Sequence, residues 1–209
     1  MKTVVIATNN AHKVSEIRSA LDFPGWEFAT LREAAIASDP VEDADSFEGN
    51  ARIKARAARA AAAAQGRTVA VLADDSGLEV DALEGAPGVY SSRYAGVDGD
   101  DGANNAKLLA ELAAVPESER TARFVCTLVF IDEDGTEVVS RGTIEGAIGY
   151  EGRGSEGFGY DPLFLPVAFA GERTLAEVSQ DEKNRISHRG AALRQLRGKL
   201  GAAGAEVPC

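Results

Sequence analysis

Two runs of strand-forming residues, Ala122 to Ile131 and Thr136 to Ala147, are separated only by Asp132 to Gly135. The Asp134-Gly135 pair is a tight-turn signal, because glycine accepts the positive φ that a short hairpin loop demands. The two runs are therefore predicted to pair antiparallel. The front of the chain has the opposite character. Thr3 to Ala7 reads as a short buried strand, followed by the polar turn Thr8-Asn9-Asn10-Ala11-His12-Lys13. A helix with Val14, Ile17 and Leu21 on its apolar side comes next, with Asn10 as N-cap. Phe23-Pro24-Gly25 closes that helix, and Trp26 to Thr30 reads as a second strand. Ser46 opens a long alanine-rich helix through Gln65, stopped by Gly66, and Thr68 to Ala73 follows as a strand. Parallel strand–helix–strand units in front of a long hairpin predict an α/β fold with a mixed β-sheet flanked by helices.

The remaining stretches fit that scheme. Glu84 to Arg93 is turn-rich, Asn104 to Ala114 looks helical, and a last helix is predicted from Ser187 to Leu200, with Gly201 to Cys209 frayed. With no repeat and no linker, residues 1–209 are expected to form one domain. The chain carries 33 acidic against 22 basic residues, a formal charge of -11. Such a surface argues against nucleic acid and anionic membrane as partners. No run of about 18 apolar residues is available to span a bilayer. The N-terminus has no signal-like segment, and the two cysteines, Cys126 and Cys209, show no staple or zinc spacing. A cytoplasmic setting is expected. An anionic ligand then requires a site that is locally basic or bridged by a metal.

A few segments can carry chemistry. The Thr8 to Lys13 turn presents helix N–H groups and a lysine to a phosphate, or is a capped helix with a solvated lysine. Asp74-Asp75-Ser76-Gly77 is expected at the carboxyl end of a strand, where ligands of α/β sheets collect, or as an ordinary turn. Strand alternation turns only one of the two carboxylates toward a substrate, to hold Mg²⁺ or accept a proton. Glu42, in the acidic stretch Asp39 to Asp45, is the second candidate metal ligand, or part of a solvated loop. Ser46, Asn50 and Lys54 share one helical face. Gly157-Phe158-Gly159-Tyr160-Asp161-Pro162 presents aromatic rings on a glycine loop, to stack on a base or to close the core. The neighbouring Gly152 to Gly157 matches G-x-G-x-x-G but does not join a strand to a helix, so it is not a dinucleotide loop. Finally, Lys183, Arg185, His188 and Arg189 crowd one helix entrance, a basic spot for an anionic or carbonyl-bearing ligand or simply a basic surface.

Taken together, Ala7 to Lys13, Phe47 to Ala55, Ala73 to Leu78, Gly85 to Tyr94, Gly157 to Pro162 and Glu182 to Gly190 resemble one family, the noncanonical purine NTP pyrophosphatases (inosine/xanthosine triphosphate pyrophosphatases). The six segments occur in register along nearly the whole chain. The resemblance implies an elongated sheet in two lobes with a central substrate cleft, a homodimer, and Mg²⁺-dependent cleavage of ITP, dITP and XTP to monophosphate and pyrophosphate. It implies that Asp75 binds the metal and is the general base, with Glu42 nearby. It assigns Thr8, Asn9, Asn10, Ala11, His12, Lys13 and Lys54 to the triphosphate, with Ser76 touching substrate. Phe158, Gly159, Tyr160, Asp161, Lys183, His188 and Arg189 are assigned to the base. Two positions depart from the family pattern: Asn9 stands where glycine is usual, and Gly49 where glutamate is usual, with Glu48 one position earlier. A pyrimidine or modified-base pyrophosphatase on a similar fold is the alternative enzyme; a silent nucleotide-binding module is the alternative class.

Overall fold

The computed structural model describes residues 2–20 and 25–203. Leu21, the Phe23-Pro24 part of the first helix stop, and the tail beyond Ala203 with Cys209 lie outside the described residues. Among the described residues six strands, β1 (Lys2–Ile6), β2 (Trp26–Thr30), β3 (Ala70–Val80), β4 (Thr121–Ile131), β5 (Glu137–Ile148) and β6 (Phe164–Pro166), hydrogen-bond in the order β2-β1-β3-β4-β5-β6. β1 runs parallel to β2 and β3, and β5 antiparallel to β6, so the sheet is mixed. The helices are α1 (Ala11–Ala20), α2 (Phe47–Ala64), α3 (Asp101–Glu111), α4 (Gln180–Ile186) and α5 (His188–Ala203). At the β4–β5 turn Gly135 has φ 95°, and Asp132 N–H donates to the Thr136 carbonyl at 2.8 Å.

The chain divides into two compact units: residues 1–75, 126–142 and 189–209 in unit 1, and 76–125 and 143–188 in unit 2. Unit 1 is a layer of strands between helices. Val5, Val71 and Val129 pack with Ala51, Ala55, Ala58 and Ala62 of α2. That alanine stripe repeats every three or four residues, which puts it on one helical face and lets the helix backbone approach the sheet closely. Val4, Ile6, Leu72 and Leu128 pack instead with Ile17 of α1 and with Ala192, Leu193 and Leu196 of α5. The switch between neighbours such as Val4 and Val5 is the two-residue alternation of a strand. Each fully buried aliphatic side chain of this kind contributes about 1.5–3 kcal/mol.

Unit 2 has its own core, in which Leu78, Phe124, Ile148 and Phe164 meet Leu108 and Leu112 of α3. Arg120 is buried there and donates to the carbonyls of Leu112, Ile148 and Gly149 at 2.7, 2.8 and 2.8 Å. It ties the end of α3 to the end of β5 through backbone acceptors.

Several boundaries differ from expectation: α3 ends at Glu111 and not Ala114, and α5 continues through Gly201 to Ala203 where a frayed tail was expected. β3 does not end at Ala73; it continues through Asp74-Asp75-Ser76-Gly77 to Val80. An Asx turn would need an aspartate side chain to bond its own backbone, but both carboxylates are held by cations from other elements. α3 begins at Asp101 and not Asn104, because the Asp100 side chain caps Ala103 N–H at 2.9 Å. The single basic helix entrance is in fact two helices. Ser187 is extended (φ -65°, ψ 154°) between α4 and α5, and α4 has its own Ser179–Glu182 capping box.

Candidate active site

In unit 1, β3 presents Asp74 and Asp75 in succession, and alternation sends them to different partners. Asp74 is fully buried. It accepts from Arg189 Nε at 2.9 Å, pairs with Lys13 Nζ at 2.8 Å, and receives the Cys126 thiol at 3.1 Å. Arg189 also pairs with Glu16. Burial by itself raises the Asp74 carboxyl, but Arg189 and Lys13 outweigh it and hold it well below the usual carboxylate range. Asp75 has the opposite balance. Lys54 Nζ lies 2.8 Å from its Oδ1 and 2.9 Å from Glu42 Oε2. Burial dominates and raises the Asp75 carboxyl, against the pull of Lys54 and Lys13. Burial would lower the Lys54 ammonium, but Asp75 and Glu42 more than compensate and raise it.

The second oxygen of Asp75, Oδ2, is buried with no hydrogen-bond partner among the described residues. An orphaned carboxylate oxygen beside a second carboxylate suits a hard divalent cation. Among the described residues no three His, Cys, Asp or Glu side chains converge as a metal cage. Asp75 and Glu42 are the carboxylates that could hold such a cation.

The turn before α1 is built as its sequence suggests. Asn10 Oδ1 accepts the N–H groups of His12 and Lys13 at 2.9 and 3.1 Å, and Thr8 Oγ1 accepts Asn10 N–H at 3.2 Å. Two helix N–H groups are thus already met by the cap. Asn9, Asn10, Ala11 and His12 are exposed, while Thr8 and Lys13 are half-buried.

In unit 2 the glycine loop is held from within. Asp161 Oδ2 accepts Lys183 Nζ at 2.6 Å and the Phe158 N–H at 2.9 Å. Lys183 Nζ lies 5.1 Å from the centre of the Phe158 ring, within cation–π range. Phe158 and Gly159 remain half-buried. Tyr160 is different: it is part of the core, with its hydroxyl on the Ser91 carbonyl at 2.8 Å. His188 stacks on Phe124, ring centres 4.9 Å apart, and Ser76 is half-buried on β3.

The structure therefore gathers Lys13, Asp74, Asp75, Lys54 and Glu42 in unit 1, and Phe158, Asp161 and Lys183 in unit 2. The Arg189 guanidinium, in unit 1, pairs with Asp74 and Glu16. Glu16 was missed in the sequence. Its signal was the i,i+3 spacing from Lys13, which puts both on one side of α1. Asp101 and Asn105 were also missed, since nothing local in α3 announces that they reach the Gly159 loop.

A sequence profile of the Ham1 family matches residues 4–199. The chain belongs to the Ham1 family. It is 49% identical over 197 residues to a dITP/XTP pyrophosphatase of Exiguobacterium sibiricum, covering 94% of this chain and 96% of that one. It is 47% identical over 201 residues to a dITP/XTP pyrophosphatase of Clostridium perfringens, covering 96% and 98%. The structure of a HAM1 protein from Coxiella burnetii matches 97% of this chain and 100% of its own, with a TM-score of 0.84 and 39% identity.

This Ham1 chain accommodates both of its departures locally. The Asn9 amide reaches the Ser38 carbonyl at 3.3 Å, tying the turn to the acidic loop in a way glycine could not. A Cβ on Gly49 would stand 2.5 Å from the Ala44 Cβ, so a side chain there needs that loop to move. Glu48 pairs with Arg52 at 2.5 Å.

Proposed function

We propose that this Ham1 protein hydrolyses deaminated purine nucleoside triphosphates (ITP, dITP and XTP) to the monophosphate and pyrophosphate. It would thereby keep such bases out of DNA and RNA. The reading includes Mg²⁺ as cofactor, a homodimer and a cytoplasmic setting. The observation that carries it is the contrast between two adjacent carboxylates. Asp74 is locked in its ionised form by Lys13 and Arg189, whereas Asp75 is raised by burial and keeps one oxygen without a partner. Neighbouring groups whose environments push them apart mark the division of acid–base roles.

Asp75 is the general base on this reading. It takes a proton from water as the water oxygen bonds to the α-phosphorus, and the bond from that phosphorus to the bridging oxygen breaks. Lys13 and Lys54 meet the negative charge that grows on the departing pyrophosphate. Asp75 and Glu42 would hold Mg²⁺, whose contribution is to neutralise phosphate charge. Asp74, Glu16 and Arg189 form the frame that orients Lys13. In unit 2, Phe158 offers a face for the purine to stack on. Lys183 and His188 supply donors for the 6-oxygen of hypoxanthine or xanthine, where adenine would present an amino group and leave donors unmet. The names of the 43–49% identical relatives support the same substrate class.

The test is pyrophosphate release from ITP, XTP, GTP, ATP and dTTP at equal subsaturating concentration, with and without Mg²⁺. Preferred cleavage of ITP and XTP, abolished by chelation and restored by Mg²⁺, is expected. No pyrophosphate from any triphosphate would leave a binding module; preference for dTTP would favour the pyrimidine alternative.

A further inference from the structure

We infer that Asp101 and Asn105 of α3 are positioning residues for base recognition, acting through the Gly159 peptide. The inference rests on the reading that the Phe158 loop receives the purine. Asp101 Oδ2 accepts the Gly159 N–H at 2.6 Å, and Asn105 Nδ2 donates to the Gly159 carbonyl at 2.9 Å. The two side chains stand four residues apart, on one face of α3. Between them they satisfy both backbone groups of a single residue.

That residue is where the loop most needs support. Gly157 and Gly159 flank Phe158 with φ of 76° and 63°, a region glycine enters without penalty but does not hold by itself. The Phe158 N–H is fixed on Asp161 at 2.9 Å, and the Tyr160 hydroxyl on Ser91 at 2.8 Å. Within the loop the Phe158 carbonyl accepts the Asp161 N–H at only 3.3 Å, whereas α3 meets both the N–H and the carbonyl of Gly159 at 2.6 and 2.9 Å. α3 is itself well seated. Asn104 accepts the Ala95 N–H at 2.7 Å and donates to the Ser92 carbonyl at 3.1 Å, while Leu108 and Leu112 are in the core. Among the described residues Asn105 Oδ1 is buried without a partner, a cost that alanine would not carry. The bond it does make is the one to Gly159. A rigid helix thus sets the angle at which the Phe158 ring is presented, and a stacking surface that need not be ordered on binding loses less entropy when it engages.

Asp101→Ala, Asp101→Asn, Asn105→Ala and Asn105→Asp test the clamp. The measured quantities are KM and kcat for ITP, inhibition by IMP, which carries the base, and inhibition by pyrophosphate, which does not. Amide exchange at Gly159 by NMR is the readout independent of activity. Asp101→Ala should raise the ITP KM and the IMP inhibition constant about tenfold, the scale of one lost hydrogen bond. It should leave kcat and pyrophosphate inhibition nearly unchanged and speed Gly159 exchange. Asp101→Asn keeps an acceptor oxygen and should restore most of the wild-type behaviour. Asn105→Asp sets a carboxylate against the Gly159 carbonyl and should be more harmful than Asn105→Ala. If Asp101→Ala does not fold, the Asn105 pair carries the same comparison. Parallel weakening of IMP and pyrophosphate, or no change in Gly159 exchange, overturns the clamp. A wild-type enzyme that ignores ITP overturns the underlying reading as well. One that cleaves ITP while both alanine variants match it sinks the clamp alone.

Discussion

Replacing Asp75 by Asn keeps the side chain's shape and removes its charge and its basicity. We expect kcat on ITP to fall by at least about 10²-fold, the scale of losing a general base. Glu42 still pairs with Lys54 in that variant, so the loss of stability should be modest. Steady-state kinetics with a thermal melt checks both; near-normal turnover removes Asp75 from the mechanism. Arg189 calls for the reverse outcome. Its guanidinium lies between Asp74 and Glu16 and is 2% exposed. Arg189→Met takes the guanidinium away from two buried carboxylates, with Lys13 still on Asp74, and breaking such a network costs about 3–5 kcal/mol. We therefore expect a large drop in the urea midpoint. If Arg189→Met unfolded like the wild type and only its KM for ITP rose, Arg189 would return to the base contacts that its sequence neighbourhood suggested. These residues show how far a motif can be read. The Asp-Asp pair and the alternation that separates its members are visible in the sequence. Which aspartate meets which cation is not, because Lys13, Lys54 and Arg189 come from three different helices.

α2 and the acidic loop before it form the next level. Ser46 caps the helix through the Gly49 N–H at 3.2 Å, and Asn50 accepts the Ala44 N–H at 3.0 Å. The loop carrying Glu42 is thereby laid onto the first turn of α2, and Glu42 reaches Lys54 one turn further along. Gly49 makes this possible by its missing Cβ, which would stand 2.5 Å from Ala44. We expect Gly49→Ala to raise the Mg²⁺ concentration for half-maximal activity several-fold, although alanine is the better helix former by about 1 kcal/mol. Adding Ala44→Gly should reverse most of that effect. A Gly49→Ala enzyme with unchanged Mg²⁺ dependence would show that the loop yields without cost. The helix itself was legible from its cap, its alanine stripe and its glycine stop. The contact that limits Gly49 was not, since it depends on how a non-periodic loop folds back. β3 taught the opposite lesson: Asp-Asp-Ser-Gly is turn-like in composition, yet the strand continues through it to Val80.

For the whole molecule, assembly is the open prediction. We expect light scattering at micromolar concentration to give twice the chain mass, because most closed oligomers are two-fold and need only one self-complementary face. A fully active monomer would refute this. Among the described residues no helix is long and apolar enough to cross a membrane. The sequence by itself determined the α/β class, the mixed sheet with its β4–β5 hairpin, the capped α1 and α2, and the family. These follow from local periodicity, caps and turn chemistry, together with motifs that keep their order along the chain. Tertiary structure alone decided that Asp74 is a locked ion and Asp75 a raised one, that Arg189 braces unit 1, and that Asp101 and Asn105 hold Gly159. Each depends on contacts between residues far apart in the chain, where burial and opposing charge set the outcome and no local pattern records them.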